Sequence, residues 1–184
     1  MSNSTIDAIF ARRSVRAYTN QKVEDETVDL LARAALAAPS ASNSQPVNVI
    51  VVRNEALILE AEKAIIAYFT KKGETAVLDR IKSRNNKIFY DAPVSFFLAV
   101  KNNAGTDVGI AAENIAVAAS GLGLGSIILG LPNVIFNDPD TASYWKGTLG
   151  FPPGYEFGLA VAVGRAADTG KPHDIDMGKI SCIN

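Results

Sequence analysis

The stretch GIAAENIAVAASGLGLGSIILGLP, residues 109–132, decides how this chain folds. Its first half belongs to a run from Asp107 to Ser120 whose only charged members are Asp107 and Glu113. A helix apolar on nearly every side is usually buried on every side, so this one is expected at the centre of the molecule. The second half turns through Gly121, Gly123 and Gly125 into Ser126–Leu131, which reads as a short buried strand. A dinucleotide fingerprint runs in the opposite order, strand, glycine turn, helix, so that phosphate meets a helix N-terminus. Here the helix comes first. Gly121 therefore reads as a helix C-cap, and Gly123 and Gly125 as a tight entry into the strand rather than a Rossmann phosphate loop. Ile115 to Pro132 carries no charge and is about as long as a membrane span. Its glycines and closing proline break it, so no membrane partner is expected.

Outward from this stretch, Ser4-Thr5-Ile6-Asp7 pairs a hydroxyl cap with a carboxylate three residues on, a helix start. A second helix is expected from Glu24–Asp25 through Leu30, Leu31, Ala34 and Ala35 to a stop at Pro39. Val47 to Val52 and Val94 to Val100 read as buried strands, and Phe157 to Val163 as another. Helices are expected over Ala56–Phe69 and Glu74–Tyr90, divided by Lys71-Lys72-Gly73. Helices and strands intermix without clean alternation, which points to an α+β layer fold with a mixed sheet.

The 184 residues suit one domain spanning 1–184, and 48% hydrophobic content rules out a disordered chain. With 18 Lys+Arg against 19 Asp+Glu the chain is nearly neutral, which argues against a broadly basic nucleic-acid surface. Cys182 is alone, so an internal disulfide, an iron–sulfur cluster and a cysteine zinc site are excluded, and no metal is expected. Met1 to Ser4 lacks the basic start and apolar core of a signal peptide, so a cytoplasmic location is expected.

Three local signals carry chemistry, each with two readings. Arg12-Arg13-Ser14-Val15-Arg16 either complements the C-terminus of the first helix or offers guanidinium forks and a hydroxyl to an anion. Ala38-Pro39-Ser40-Ala41-Ser42-Asn43-Ser44-Gln45-Pro46 is either a turn of side-chain-to-backbone bonds or a set of amides that read the edge of a planar heterocycle. His173, in Gly170-Lys171-Pro172-His173, is either exposed or an anion contact, and has no nearby partner for a triad.

In order along the chain, Arg12-Arg13-Ser14-Val15-Arg16, APSASNSQP (38–46), GIAAENIAVAASGLGLGS (109–126) and FGLAVAVG (157–164) followed by Lys171-Pro172-His173 resemble the nitroreductase family of FMN-dependent oxidoreductases. The resemblance implies a mixed, mainly antiparallel sheet flanked by helices, in an interlocked homodimer that binds FMN at its interface. It assigns Arg12, Arg13 and Ser14 to the flavin phosphate and ring, and Arg16 to the N1–C2=O side as a cation that tunes the flavin. Pro39, Ser40, Asn43 and Gln45 would approach the flavin partly from the neighbouring subunit. The backbone of Ile128, Leu129 and Gly130 would lie along the ring, and Asn85 or Asn86 would reach its pyrimidine edge. Lys171 would meet the phosphate. Many relatives carry an Arg two positions after that Lys, where this chain has His173.

The activity so implied moves hydride from NAD(P)H onto the flavin, then electrons to a nitroaromatic, quinone, flavin or enone acceptor, by a ping-pong mechanism. No side chain need be nucleophile or strong acid, because a flavin carries its own redox chemistry. The alternative is an FMN-binding protein that stores or senses flavin without turnover. The residues shaping the acceptor site are compressed into about Tyr68 to Tyr90, which leaves substrate preference open. The tail, 174–184, with Ile175, Ile180 and Ile183, is expected to pack on the partner subunit.

Overall fold

Val94–Val100 (β2) is buried at all its positions, and its side chains divide by parity. Val94, Phe96, Leu98 and Val100 enter one apolar cluster and Phe97 enters the other, as a period of two demands of a strand covered on both faces. The computed structural model describes residues 4–101, 104–168, 170 and 174–183. Around β2 it arranges Val47–Val52 (β1), Gly125–Leu129 (β3) and Glu156–Gly164 (β4) in the order β1-β2-β4-β3, with every strand pairing antiparallel.

One face of the sheet is covered by Asp25–Leu36 (α2) and Gly105–Gly121 (α5), which contribute Leu31, Ala111, Ala112 and Ile115 to the core. Ser4–Ala11 (α1) lies against α5, where Ser120 Oγ donates to the Ala8 carbonyl at 2.8 Å. The other face is covered by Glu55–Lys72 (α3), Thr75–Lys82 (α4), Asn133–Asn137 (α6) and Ala142–Thr148 (α7). On that side the Phe136 and Phe157 rings stack at 4.7 Å, with Phe97 edge-on to both. The expected central helix is therefore α5, and Ala111, Ala112, Ile115, Ala116 and Ala119 are buried along it.

Two expectations need correction. The helix expected over Glu74–Tyr90 stops at Lys82, because Asn85, Asn86, Tyr90 and Asp91 all take positive φ. Asparagine tolerates that region, and a tyrosine there is strained. The glycine that ends α5 is Gly123, not Gly121: Gly123 has φ +71°, and Leu124 N–H bonds back to Ala119 O at 2.8 Å in a Schellman closure. The short helices α6 and α7 had no periodic signal long enough to read. Among the described residues, no helix is long and apolar enough to cross a membrane.

One irregularity in the sheet has a local cause. Leu98 pairs with Leu159 and Ala99 with Phe157, so Gly158 is the extra residue of a β-bulge. A Cβ on Gly158 would stand 2.6 Å from Val108 Cγ2. The glycine lets α5 seat directly on β4.

Candidate functional site

The segment that follows α1 is tied to the sheet before it can wander. Val15 N–H donates to Ser126 O at 2.9 Å, and Ser14 forms a parallel bridge with Ser126 at the start of β3. Farther on, Thr19 N–H bonds Arg165 O and Ala167 N–H bonds Ala17 O, each at 2.9 Å. Tyr18 Oη lies 3.2 Å from the carbonyl oxygens of both Val15 and Ala162. Burial, reinforced by the nearby Tyr90 phenol, pushes the Tyr18 phenol far above its usual range, so it stays a proton donor. Gly125 permits the approach, since a Cβ there would meet Val15 Cγ2 at 2.7 Å.

Two clefts succeed one another along β3, and the 12–16 segment borders both. The first, of about 210 Å³, is lined by Arg12, Arg13, Gly125 and Ser126 among others. Arg12 reaches Glu113 at 3.6 Å. Arg13 donates to Phe10 O at 2.5 Å and to Arg12 O at 2.7 Å, so it does complement the end of α1. The second cleft, of about 160 Å³, brings Arg16 beside Ile128, Leu129 and Gly130, with Arg80, Arg84 and Lys87 on its far wall. Arg16 is exposed and donates to the Ser14 carbonyl at 3.2 Å.

Two clefts in line, guanidinium-lined and joined by one clamped segment, suit an elongated anionic ligand. The sequence model of the Nitroreductase family matches residues 9–165. The chain belongs to the nitroreductase family. It is similar over 100% of both chains to a nitroreductase from Desulfitobacterium hafniense DCB-2 solved with bound FMN, at 35% identity and a TM-score of 0.95. It is likewise similar to an FMN-bound nitroreductase from Bacteroides fragilis NCTC 9343, at 26% identity, a TM-score of 0.90 and 100% coverage of both chains. A relative from Archaeoglobus fulgidus, provisionally named NADH dehydrogenase/NAD(P)H nitroreductase, is 39% identical over 56 residues, 30% of this chain and 32% of that protein. Matches to the curated relatives thus span less than a third of those proteins' own length.

Within this nitroreductase-family chain, the loop carrying Pro39, Ser40 and Gln45 lies apart from the two clefts. Pro39, Ser40 and Gln45 line a third cleft of about 160 Å³ with Leu36, Val47 and Asp107, which shares no residue with the other two. Gln45 N–H donates to Ser40 Oγ at 2.9 Å and Gln45 Nε2 to Asn43 Oδ1 at 3.2 Å, so the turn reading of this loop is realised. Ser42, Asn43 and Gln45 nonetheless hold positive φ with their side chains exposed, a strained display that the turn alone does not require. Lys171 and His173 lie outside the described residues.

Sequence reading missed Arg80, Arg84, Lys87 and Tyr90 as neighbours of Arg16. The signal was present in Arg80-Ile-Lys-Ser-Arg-Asn-Asn-Lys87, where cations surround an Asn-Asn pair suited to left-handed backbone. Taking the stretch as continuous helix concealed it.

Proposed function

We propose that this chain is an FMN-dependent oxidoreductase that takes hydride from NAD(P)H and reduces a small acceptor such as a nitroaromatic, quinone, flavin or enone. The observation that carries the reading is the placement of Arg16 against Ile128–Gly130 in one cleft, next to the Arg12–Arg13 cleft on the same strand. The donor chemistry fits FMN: guanidinium groups and the Ser14 hydroxyl suit the phosphate, and an exposed cation beside a β-strand suits one edge of a planar ring. The FMN-bound relatives of the same fold support the assignment.

Bound FMN would supply the redox step, accepting hydride and later returning two electrons, with nicotinamide leaving before the acceptor enters. The chain's own residues bind and tune. Arg12, Arg13 and Ser14 would hold the phosphate end, Ile128, Leu129 and Gly130 would support the ring, and Arg16 would offset the negative charge of the reduced form, raising the reduction potential.

A second copy of the chain is the proposed partner. The loop bearing Asn43 and Gln45 lies away from the Arg16 cleft, so a neighbour's copy would have to supply those amides. Exposed Ile9 and Phe10 on α1, and Ile175, Met177, Ile180 and Ile183 in the tail, give such a neighbour apolar surface to cover. The visible spectrum of the purified protein, before and after anaerobic NAD(P)H, tests the function. A yellow protein that bleaches supports it. One that stays yellow would be a flavin store or sensor, and a colourless one would remove FMN altogether.

A further inference from the structure

The Arg16 cleft is more positive than a flavin needs. Arg16, Arg80, Arg84 and Lys87 all line it, and among the described residues no Asp or Glu does. Lys87 is neutralised by Asp91, whose Oδ1 accepts from Nζ at 2.6 Å. Among the described residues Arg84 is bonded to a neutral group, donating from Nη1 to Tyr90 Oη at 2.9 Å. Arg80 forms no ion pair among the described residues, since its neighbour Asp79 turns to Lys82. A reduced flavin carries one negative charge, and Arg16 suffices for it. Among the described residues, Arg80 and Arg84 remain without a carboxylate.

The backbone that carries them is anchored. Ile81, between them, is buried, and Arg80 on α4 and Arg84 just beyond its end line the same cleft. The turn after α4 is closed by Asn86 N–H to Ile81 O at 3.1 Å. It is anchored from below by buried Glu62, whose Oε1 accepts from Ile88 N–H at 2.6 Å and Phe89 N–H at 2.8 Å. Two guanidinium forks carried on one anchored segment can meet the same oxyanion.

We propose that Arg80 and Arg84 form a substrate-recognition site that selects reactants bearing a carboxylate or phosphate. This rests on the FMN-dependent reading and names the substrate class of that site. The oxyanion belongs either to the electron acceptor or to the pyridine nucleotide, whose 2′-phosphate distinguishes NADPH from NADH.

The test uses the FMN-loaded protein. Flavin content is measured first, then kcat/KM for 4-nitrobenzoate against nitrobenzene and for NADPH against NADH, in wild type and in R80A/R84A. Comparing the two proteins cancels the intrinsic reactivity of each reactant. One of the two ratios is expected to fall about tenfold in the variant, the scale of one charge-assisted contact. A fall in the first ratio places the oxyanion on the acceptor, and a fall in the second places it on the nucleotide. Both residues lie on exposed surface, so folding is not at stake, and R80E is expected to lower the same ratio further. Two unchanged ratios overturn the proposal. So does a shifted flavin midpoint potential with both ratios intact, which would assign the cations to the flavin alone. A wild-type protein that never carries FMN instead overturns the function beneath it.

Discussion

Gly125 and Val15 meet so closely that a Cβ on the glycine would stand 2.7 Å from Val15 Cγ2. That contact, together with Val15 N–H to Ser126 O at 2.9 Å, clamps the arginine segment to β3. Gly125→Ala is expected to push Val15 outward and cost about 1–3 kcal/mol, the usual scale of overpacking. Urea unfolding would read the loss, and FMN retention should weaken with it. A variant with wild-type midpoint and flavin content would show that the clamp does not matter.

Buried Glu62 is the acceptor for two backbone N–H groups in the turn before β2. Glu62→Gln keeps an acceptor oxygen and is expected to be mild. Glu62→Ala orphans both donors, at about 1–3 kcal/mol for each buried unsatisfied group. The gap between the two variants in urea midpoint checks the role.

Arg16→Ala is expected to weaken FMN affinity about tenfold or to slow reduction by NAD(P)H, because it removes the cation beside the ring. Anaerobic stopped-flow bleaching and flavin titration measure the two effects separately. Unchanged values for both would count against its tuning role.

Tyr18 gives the fold an alkaline signature. Its phenol is held protonated in the folded chain, while in the unfolded chain it titrates near pH 10. The native state therefore retains a proton that the unfolded state releases, so stability is full below about pH 10 and declines as pH rises beyond it. Tyr18→Phe should remove that decline while losing the shared bonds to Val15 and Ala162. Ultraviolet titration at 295 nm should show one of the five tyrosines silent until the protein unfolds.

If a second copy covers α1 and the tail, light scattering at micromolar concentration should report a dimer. Phe10→Asp, or removal of residues 174–184, should shift it toward monomer and release FMN in parallel. A wild-type monomer that holds FMN stoichiometrically would sink the shared site.

Much of the fold was legible because its signals are local. Val47–Val52 and Val94–Val100 form strands at those very residues, since β-branched apolar runs leave few alternatives. Gly73, with φ +69°, ends α3 at the expected break. The turn at 83–91 was not legible, because its shape depends on Glu62, which is 26 residues distant along the chain from Ile88. A periodic pattern near Ile81 looks helical whether or not a buried carboxylate later claims the N–H groups beyond it.

The chain's own order of residues determined the layers, the helix-before-strand sense of the glycine stretch and the cationic character of 12–16, because each follows from neighbours in sequence. Only the tertiary structure decided which cations share a space. Arg16 and Arg80 are far apart in the chain, yet both line the cleft beside Gly130. Meanwhile Ser40 and Gln45, nearer to Arg16 in sequence, line a different cleft together with Leu36 at the end of α2 and Val47 at the start of β1. Electrostatics acts through distance in space, and distance in space is set by how the helices pack on the sheet.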